Sequence, residues 1–101
     1  MIQVIASISY DSSKSDELRE ILNWIVPLVH AEAGCRKYLP TVDCPMGLAI
    51  QETDSRVFTM VEEWEDEASL QAHLAAPHMD EFRERVQGIV TGVTVKVLKD
   101  F

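Results

Sequence analysis

Positive charge is scarce in this 101-residue chain: nine Lys and Arg face 17 Asp and Glu, leaving a formal net charge of −8. Phosphate neutralisation dominates nucleic-acid affinity, so an acidic domain without a basic patch argues against DNA or RNA as a partner. Anionic membrane surfaces are disfavoured on the same ground. Cysteine is scarce too. Cys35 and Cys44 form neither a Cys-x2-Cys pair nor a Cys/His cluster at zinc spacing, so no metal site is expected. In a cytosolic protein the two are reduced rather than bridged, and Arg36 is the one local cation that would lower the Cys35 pKa. Gly and Pro number only four each, against the composition of disordered or fibrous chains. No apolar run approaches the roughly 20 residues needed to span a bilayer. The opening Met-Ile-Gln-Val-Ile-Ala has no basic segment and no small-residue cleavage site after it, so a cytoplasmic location is expected.

What remains is an ordinary globular composition, read as one domain over residues 1–101 with a single core that buries about 65% of the unfolded surface. Ile2 to Tyr10 alternates apolar Ile2, Val4, Ala6 and Ile8 with Gln3, Ser7 and Ser9, a period-two strand. Ser13 or Ser15 suits the cap of a helix whose stripe runs Leu18, Ile21, Leu22, Ile25, Leu28 and Val29. Pro27 should kink or end that helix, and Gly34 is a natural left-handed closure. A strand starts at Arg36-Lys37-Tyr38-Leu39 but meets Pro40, and Leu48 to Glu52 resumes an extended pattern. Arg56 to Trp64 is a strand apolar on both faces, which implies burial on both sides. Asp66 caps a short helix carrying Leu70, His73 and Leu74 inward, and Pro77 opens another with Met79, Phe82 and Val86 on one face. Gly88 and Gly92 bracket its end, before a last strand through Val93, Val95 and Val97.

Strand, helix, strand, strand, helix, strand is the α+β split βαβ order of the ferredoxin-like fold, an antiparallel sheet with helices on one face. The uncovered face is expected to meet a second copy of the chain, giving a homodimer.

The chemistry concentrates between Val61 and Phe82. His73, three residues after Leu70, is either a core histidine bonded to a backbone carbonyl or a general base that titrates near neutrality. Glu62 shares a strand face with Trp64 and needs a partner: an Arg ion pair, or a role as base or orienter of His73. Trp64 reads as core or as a plate stacking on a flat substrate. His78 follows Pro77 and caps the elbow or lines a pocket mouth; Phe58 and Met60, on the Glu62 face, are candidate substrate-binding residues. His30 suits the negative end of the first helix. The acidic run from Glu62 to Glu67 reads as a solvated helix start rather than a metal site, because successive carboxylates on a strand point opposite ways.

With these places in order, the chain resembles the antibiotic biosynthesis monooxygenase family, whose small ferredoxin-like chains pair into dimeric α+β barrels. Met-Ile-x-Val-Ile-Ala opens the first strand; Ala31-Glu32-Ala33-Gly34-Cys35 is similar to the family's Glu-Pro-Gly-Cys elbow; and Glu62-x-Trp64-Glu65-Asp66 leads to His73 and Pro77-His78. The resemblance implies a pocket for a small aromatic, phenolic or quinol substrate, oxidised by molecular oxygen with no metal, flavin or haem cofactor. His73, Trp64 and Glu62 are its implied catalytic residues. Two departures stand out. The separation of Cys35 from Trp64 is longer than in the family, so the Cys44–Gly47 region reads as an insertion able to reshape the pocket mouth. Haem-degrading relatives carry an Asn on the first strand and a His in the last helix; here Ala6 and Ser7 occupy the first place and Arg83 or Arg85 the second, against haem degradation. Two other readings stay open: isomerisation of a small hydroxy-ketone by His73 and Glu62, and a non-catalytic small-molecule-binding barrel.

Overall fold

Alternation along the first strand is realised in the computed structural model, which describes residues 1–101: Ile2, Val4, Ala6 and Ile8 of β1 (Ile2–Tyr10) are buried and Gln3 is exposed. Asp11, rather than a serine, caps the next turn. Its carboxylate accepts from the Ser13 amide at 3.0 Å and the Ser13 hydroxyl at 2.7 Å, closing a 3-10 turn over Ser12–Lys14 that leads into α1 (Ser15–His30). The expected serine cap is thus replaced one turn earlier. Pro27 does not end α1, which continues to His30. The proline costs one helical hydrogen bond, while Ile25 and Val29 on the same helix are fully buried and hold it against the sheet.

Gly34 closes the turn after α1 at φ +80°, a region that favours glycine. The turn is also crowded. A Cβ on Gly34 would sit 2.1 Å from the Ser69 hydroxyl, and the Gly34 carbonyl accepts from the Glu65 amide at 2.8 Å. The end of α1 is thereby pinned to the start of α2. Gly34→Ala is expected to cost about 2 kcal/mol or more, from the left-handed backbone and the displaced Ser69 together. Urea denaturation at constant m-value measures it.

β2 (Cys35–Thr41) runs through Pro40 without interruption because it is an edge strand, where a missing N–H is tolerated. β3 (Val57–Trp64) pairs with β2 and β1, and β4 (Val90–Leu98) with β1, giving an antiparallel sheet in the order β2-β3-β1-β4. Asp66 caps α2 (Glu67–Leu74), accepting from the Ser69 amide at 2.8 Å, and Pro77 opens α3 (Pro77–Arg85), both as the sequence predicts. Gly92 falls inside β4, opposite Ser9, and not at the helix end. No helix is long and apolar enough to cross a membrane.

All three helices lie on one face of the sheet, and this decides the burial of β3. Phe58, Met60, Glu62 and Trp64 are buried, whereas Val57, Thr59, Val61 and Glu63 remain half-exposed, so the strand is covered on one side within the chain. Leu74, expected inward, is also largely exposed. The segment between β2 and β3 forms no strand: Leu48–Glu52 is a turn in which Gln51 accepts from the Met46 amide and donates to the Cys44 carbonyl, each at 2.9 Å.

Candidate active site

Register brings one polar cluster to one end of the helix-covered face. Cys35 and Ile2 flank Trp64, and Tyr38 and Val4 flank Glu62. Helix α2 lays His73 over this corner, with its ring 4.6 Å from Trp64 and 5.5 Å edge-on from Tyr38. His73 is 2% exposed and Glu62 is 7% exposed. Burial on this scale demands partners.

Those partners differ from the expected ones. His73 donates from Nδ1 to Oε2 of Glu32 at 2.9 Å, and His78 donates from Nε2 to the same oxygen at 2.9 Å. A carboxylate only accepts, so both hydrogens lie on these nitrogens and Nε2 of His73 carries the free lone pair. Glu62 makes no ion pair with arginine. Its Oε1 accepts from the Trp64 indole N–H at 2.9 Å and lies 4.0 Å from Nε2 of His73. Glu32, not Glu62, therefore orients His73. His30 bonds across to the Tyr38 carbonyl at 3.0 Å and holds α1 to β2.

A cavity of about 310 Å³ opens beside the cluster. Val4, Ala6 and Ile8 of β1 with Val93, Val95 and Val97 of β4 make its floor, and Leu70, Met79, Phe82 and Val86 its roof. Tyr38, Met60, Glu62 and His73 close one end, and Arg83 stands near them. The guanidinium of Arg83 is engaged by the Leu74 carbonyl at 2.9 Å and by Asp80 at 3.0 Å. Arg85 points elsewhere, 4.0 Å over the Trp24 ring. Of the predicted residues, His73, Glu62 and Met60 line the cavity. Trp64, Phe58 and His78 do not: Trp64 is buried behind Glu62, Phe58 packs edge-on against Tyr10, and His78 backs Glu32. No residue between Val42 and Arg56 reaches the cavity, because that segment leaves the end of β3 opposite Trp64. The Cys44–Gly47 region lines no part of the cavity within one chain.

Electrostatics sharpen the two central groups in opposite directions. Burial pushes the Glu62 carboxyl above its ordinary 4.5; the Trp64 bond opposes the shift and the Glu32 charge adds to it. Burial pulls His73 below its ordinary 6.5, against the support of Glu32. Burial also raises the Tyr38 hydroxyl and the Cys35 thiol, so Cys35 is no activated nucleophile. Both cysteines are free. No group of His, Cys, Asp and Glu is arranged to hold a metal ion.

The stability consequence of Glu62 has a definite sign. Its folded pKa is raised, so the folded state binds more protons than the unfolded one once pH exceeds 4.5, and stability falls as pH rises from there to the folded value. Glu62→Gln keeps an acceptor for Trp64 and removes that loss. It is expected to match the wild type below pH 4.5 and to exceed it increasingly above, as measured by chemical denaturation across pH.

Residues 1–85 match the family model described as antibiotic biosynthesis monooxygenase. The chain belongs to the antibiotic biosynthesis monooxygenase family. The protein of Escherichia coli K12 named "Probable quinol monooxygenase YgiN" is 41% identical over 75 residues, covering 74% of this chain and 72% of that one. Among solved structures, PA3566 from Pseudomonas aeruginosa is 27% identical with a TM-score of 0.80 over 99% of this chain and 93% of its own. Rv0793 from Mycobacterium tuberculosis is 25% identical with a TM-score of 0.81 over 99% and 94%. The fold is thus shared with both of these solved structures. Glu32 and Tyr38 went unassigned by sequence reasoning. The signal for Glu32 was in view, since it is the first residue of the Glu-x-Gly-Cys elbow.

Proposed function

We propose that this family member is a cofactor-independent monooxygenase acting on a small phenolic or quinol substrate. The observation that carries the reading is His73, whose Nε2 lone pair faces an apolar cavity while Nδ1 is held by Glu32. His73 takes the phenolic proton, and Glu32 supports the imidazolium that forms. The electron-rich phenolate then reacts with molecular oxygen directly. One oxygen atom becomes a new carbonyl on a ring carbon that loses its hydrogen. The other leaves as water with that hydrogen and the phenolic one, so a phenol becomes a quinone without an external reductant. The walls around the charged intermediate are hydrocarbon apart from Tyr38, Glu62, His73 and Arg83. Similarity to a relative named as a quinol monooxygenase supports the same substrate class. Oxygen uptake with a panel of quinols and phenols tests it; no uptake with any member would sink the reading.

The proximity of an acid and a base, Glu62 and His73 at 4.0 Å, also suits proton shuttling in a hydroxy-ketone isomerase. Turnover under strictly anaerobic conditions would favour that alternative.

The homodimer belongs to the same proposal. The helix-free face of the sheet carries Leu39, Val61, Ile5 and Lys96 in one row, Thr41, Thr59, Ser7 and Thr94 in the next, and Lys37, Glu63 and Gln3 toward the other end. The central apolar and small-residue rows suit a second sheet packed face to face, with the charged residues at their margin. Sedimentation at micromolar protein is expected to give twice the 11.4 kDa chain mass; a monomer would overturn the dimer.

A further inference from the structure

Three atoms at the polar end of the cavity are left over by the protein's own hydrogen bonding: Oε2 of Glu62, Nε2 of His73 and the Tyr38 hydroxyl. No fully buried side-chain nitrogen or oxygen is unsatisfied, so all three open onto the cavity. The indole N–H can only donate, which fixes Oε1 of Glu62 as an acceptor. In a neutral carboxyl the proton then sits on Oε2, where no protein acceptor meets it. The carboxyl lies beside Nε2: its Oε1 is 4.0 Å away, and Oε2, on the same carbon, is the oxygen left to meet a ligand atom that also reaches Nε2.

We infer that Glu62 works as a neutral carboxylic acid, donating a hydrogen bond to the same substrate oxygen from which His73 takes a proton, so that phenols bind as phenolates. The inference rests on the monooxygenase reading for its substrate class and adds how the substrate's charge is held. Transfer of the phenolic proton to Nε2 leaves an imidazolium between Glu32 and the phenolate, with no net charge created in the cavity. Glu62 supplies the donor that replaces water at the phenolate oxygen. A carboxylate at this place would repel the phenolate it is meant to hold. The charged and titratable groups facing the pair are Glu32 from the turn after α1, Cys35 and Tyr38 from β2, and His78 and Arg83 from α3. The Arg83 guanidinium is turned to Leu74 and Asp80 through two of its N–H groups, and the Glu62 carboxyl lies 4.0 Å from Nε2. Burial of Glu62 favours its neutral form in the same direction.

The test uses 4-nitrophenol, whose phenolate has a visible absorption band, added to the intact protein under argon at a pH below the probe's own pKa. The wild type is expected to bind it with the phenolate band. Glu62→Gln keeps both the acceptor for Trp64 and a donor for the ligand, so its band and affinity should stay within a few-fold of wild type. Glu62→Leu should weaken phenolate binding by about ten- to a hundredfold. A probe bound as the neutral phenol, or an equal band in all three proteins, overturns the inference. So does a Gln variant that loses the band, since Glu62 would then act as a charged base. Loss of the band in Tyr38→Phe but not in Glu62→Leu would assign the donor to Tyr38 and overturn it as well. If Glu62→Leu does not fold, the isosteric Gln variant still decides between neutral donor and charged base. Because the readout needs no oxygen, phenolate binding without oxygen uptake would defeat the monooxygenase reading and leave this one standing.

Discussion

Replacing His73 by alanine is expected to lower oxygen consumption with a quinol substrate by about 10²–10⁴-fold, the usual contribution of a positioned general base. The size reflects the cavity lining. Glu62, Tyr38, Arg83 and His73 are its polar side chains; Arg83 is engaged, and Tyr38 is held in its neutral form by burial. With Glu62 as the neutral donor inferred above, Nε2 of His73 is the proton acceptor. The imidazole-sized space left by alanine invites a second measurement: added imidazole should restore part of the rate. Wild-type pH dependence gives a third. Because burial lowers the His73 pKa, the neutral form persists below the ordinary 6.5, and the acid limb of kcat/KM should lie below that value. Circular dichroism and thermal unfolding establish that the variant is folded. A folded His73→Ala protein with wild-type rate would remove His73 from the chemistry.

Local patterns carried the fold. The alternation of Ile2, Val4, Ala6 and Ile8, the Asp66 cap and Pro77 at a helix start act within a few residues, and each stands in the structure at its expected place. The errors arose where contacts outside the periodic pattern decide. Pro27 is tolerated because Ile25 and Val29 are locked against the sheet, and Leu48–Glu52 curls because Gln51 bonds the loop to itself. The site shows the same division. Period two placed Phe58, Met60, Glu62 and Trp64 on one face correctly, but it has no information about position across the sheet. Phe58 and Trp64 therefore share a face with the cavity residues without lining it. Glu32 was legible as part of a turn and illegible as a partner. The histidines it holds lie 41 and 46 residues further along, and nothing short of the assembled helices brings them together.

Glu32→Gln should be nearly as damaging as loss of His73, with kcat lowered on the order of 10²–10⁴-fold, although Glu32 lines no part of the cavity. It acts as a positioning residue. A carboxylate can only accept, and this forces the hydrogen onto Nδ1 of His73 and leaves Nε2 basic toward the substrate. An amide can present its NH2 to Nδ1 instead, driving the hydrogen to Nε2 and leaving His73 unable to accept the phenolic proton. The carboxylate also stabilises the imidazolium once the proton has moved, and glutamine cannot. Because substrate contacts stay in place, KM should change much less than kcat. Nitrogen NMR of the imidazole should report a shift away from the Nδ1–H tautomer. The His73 pKa, already lowered by burial, should fall further, because Glu32 is the group that holds it up. Merely structural damage would lower stability without moving tautomer or pKa. A Gln variant with wild-type kcat and an unchanged tautomer would show that the geometry of His73 is set by the Trp64 and Tyr38 rings alone.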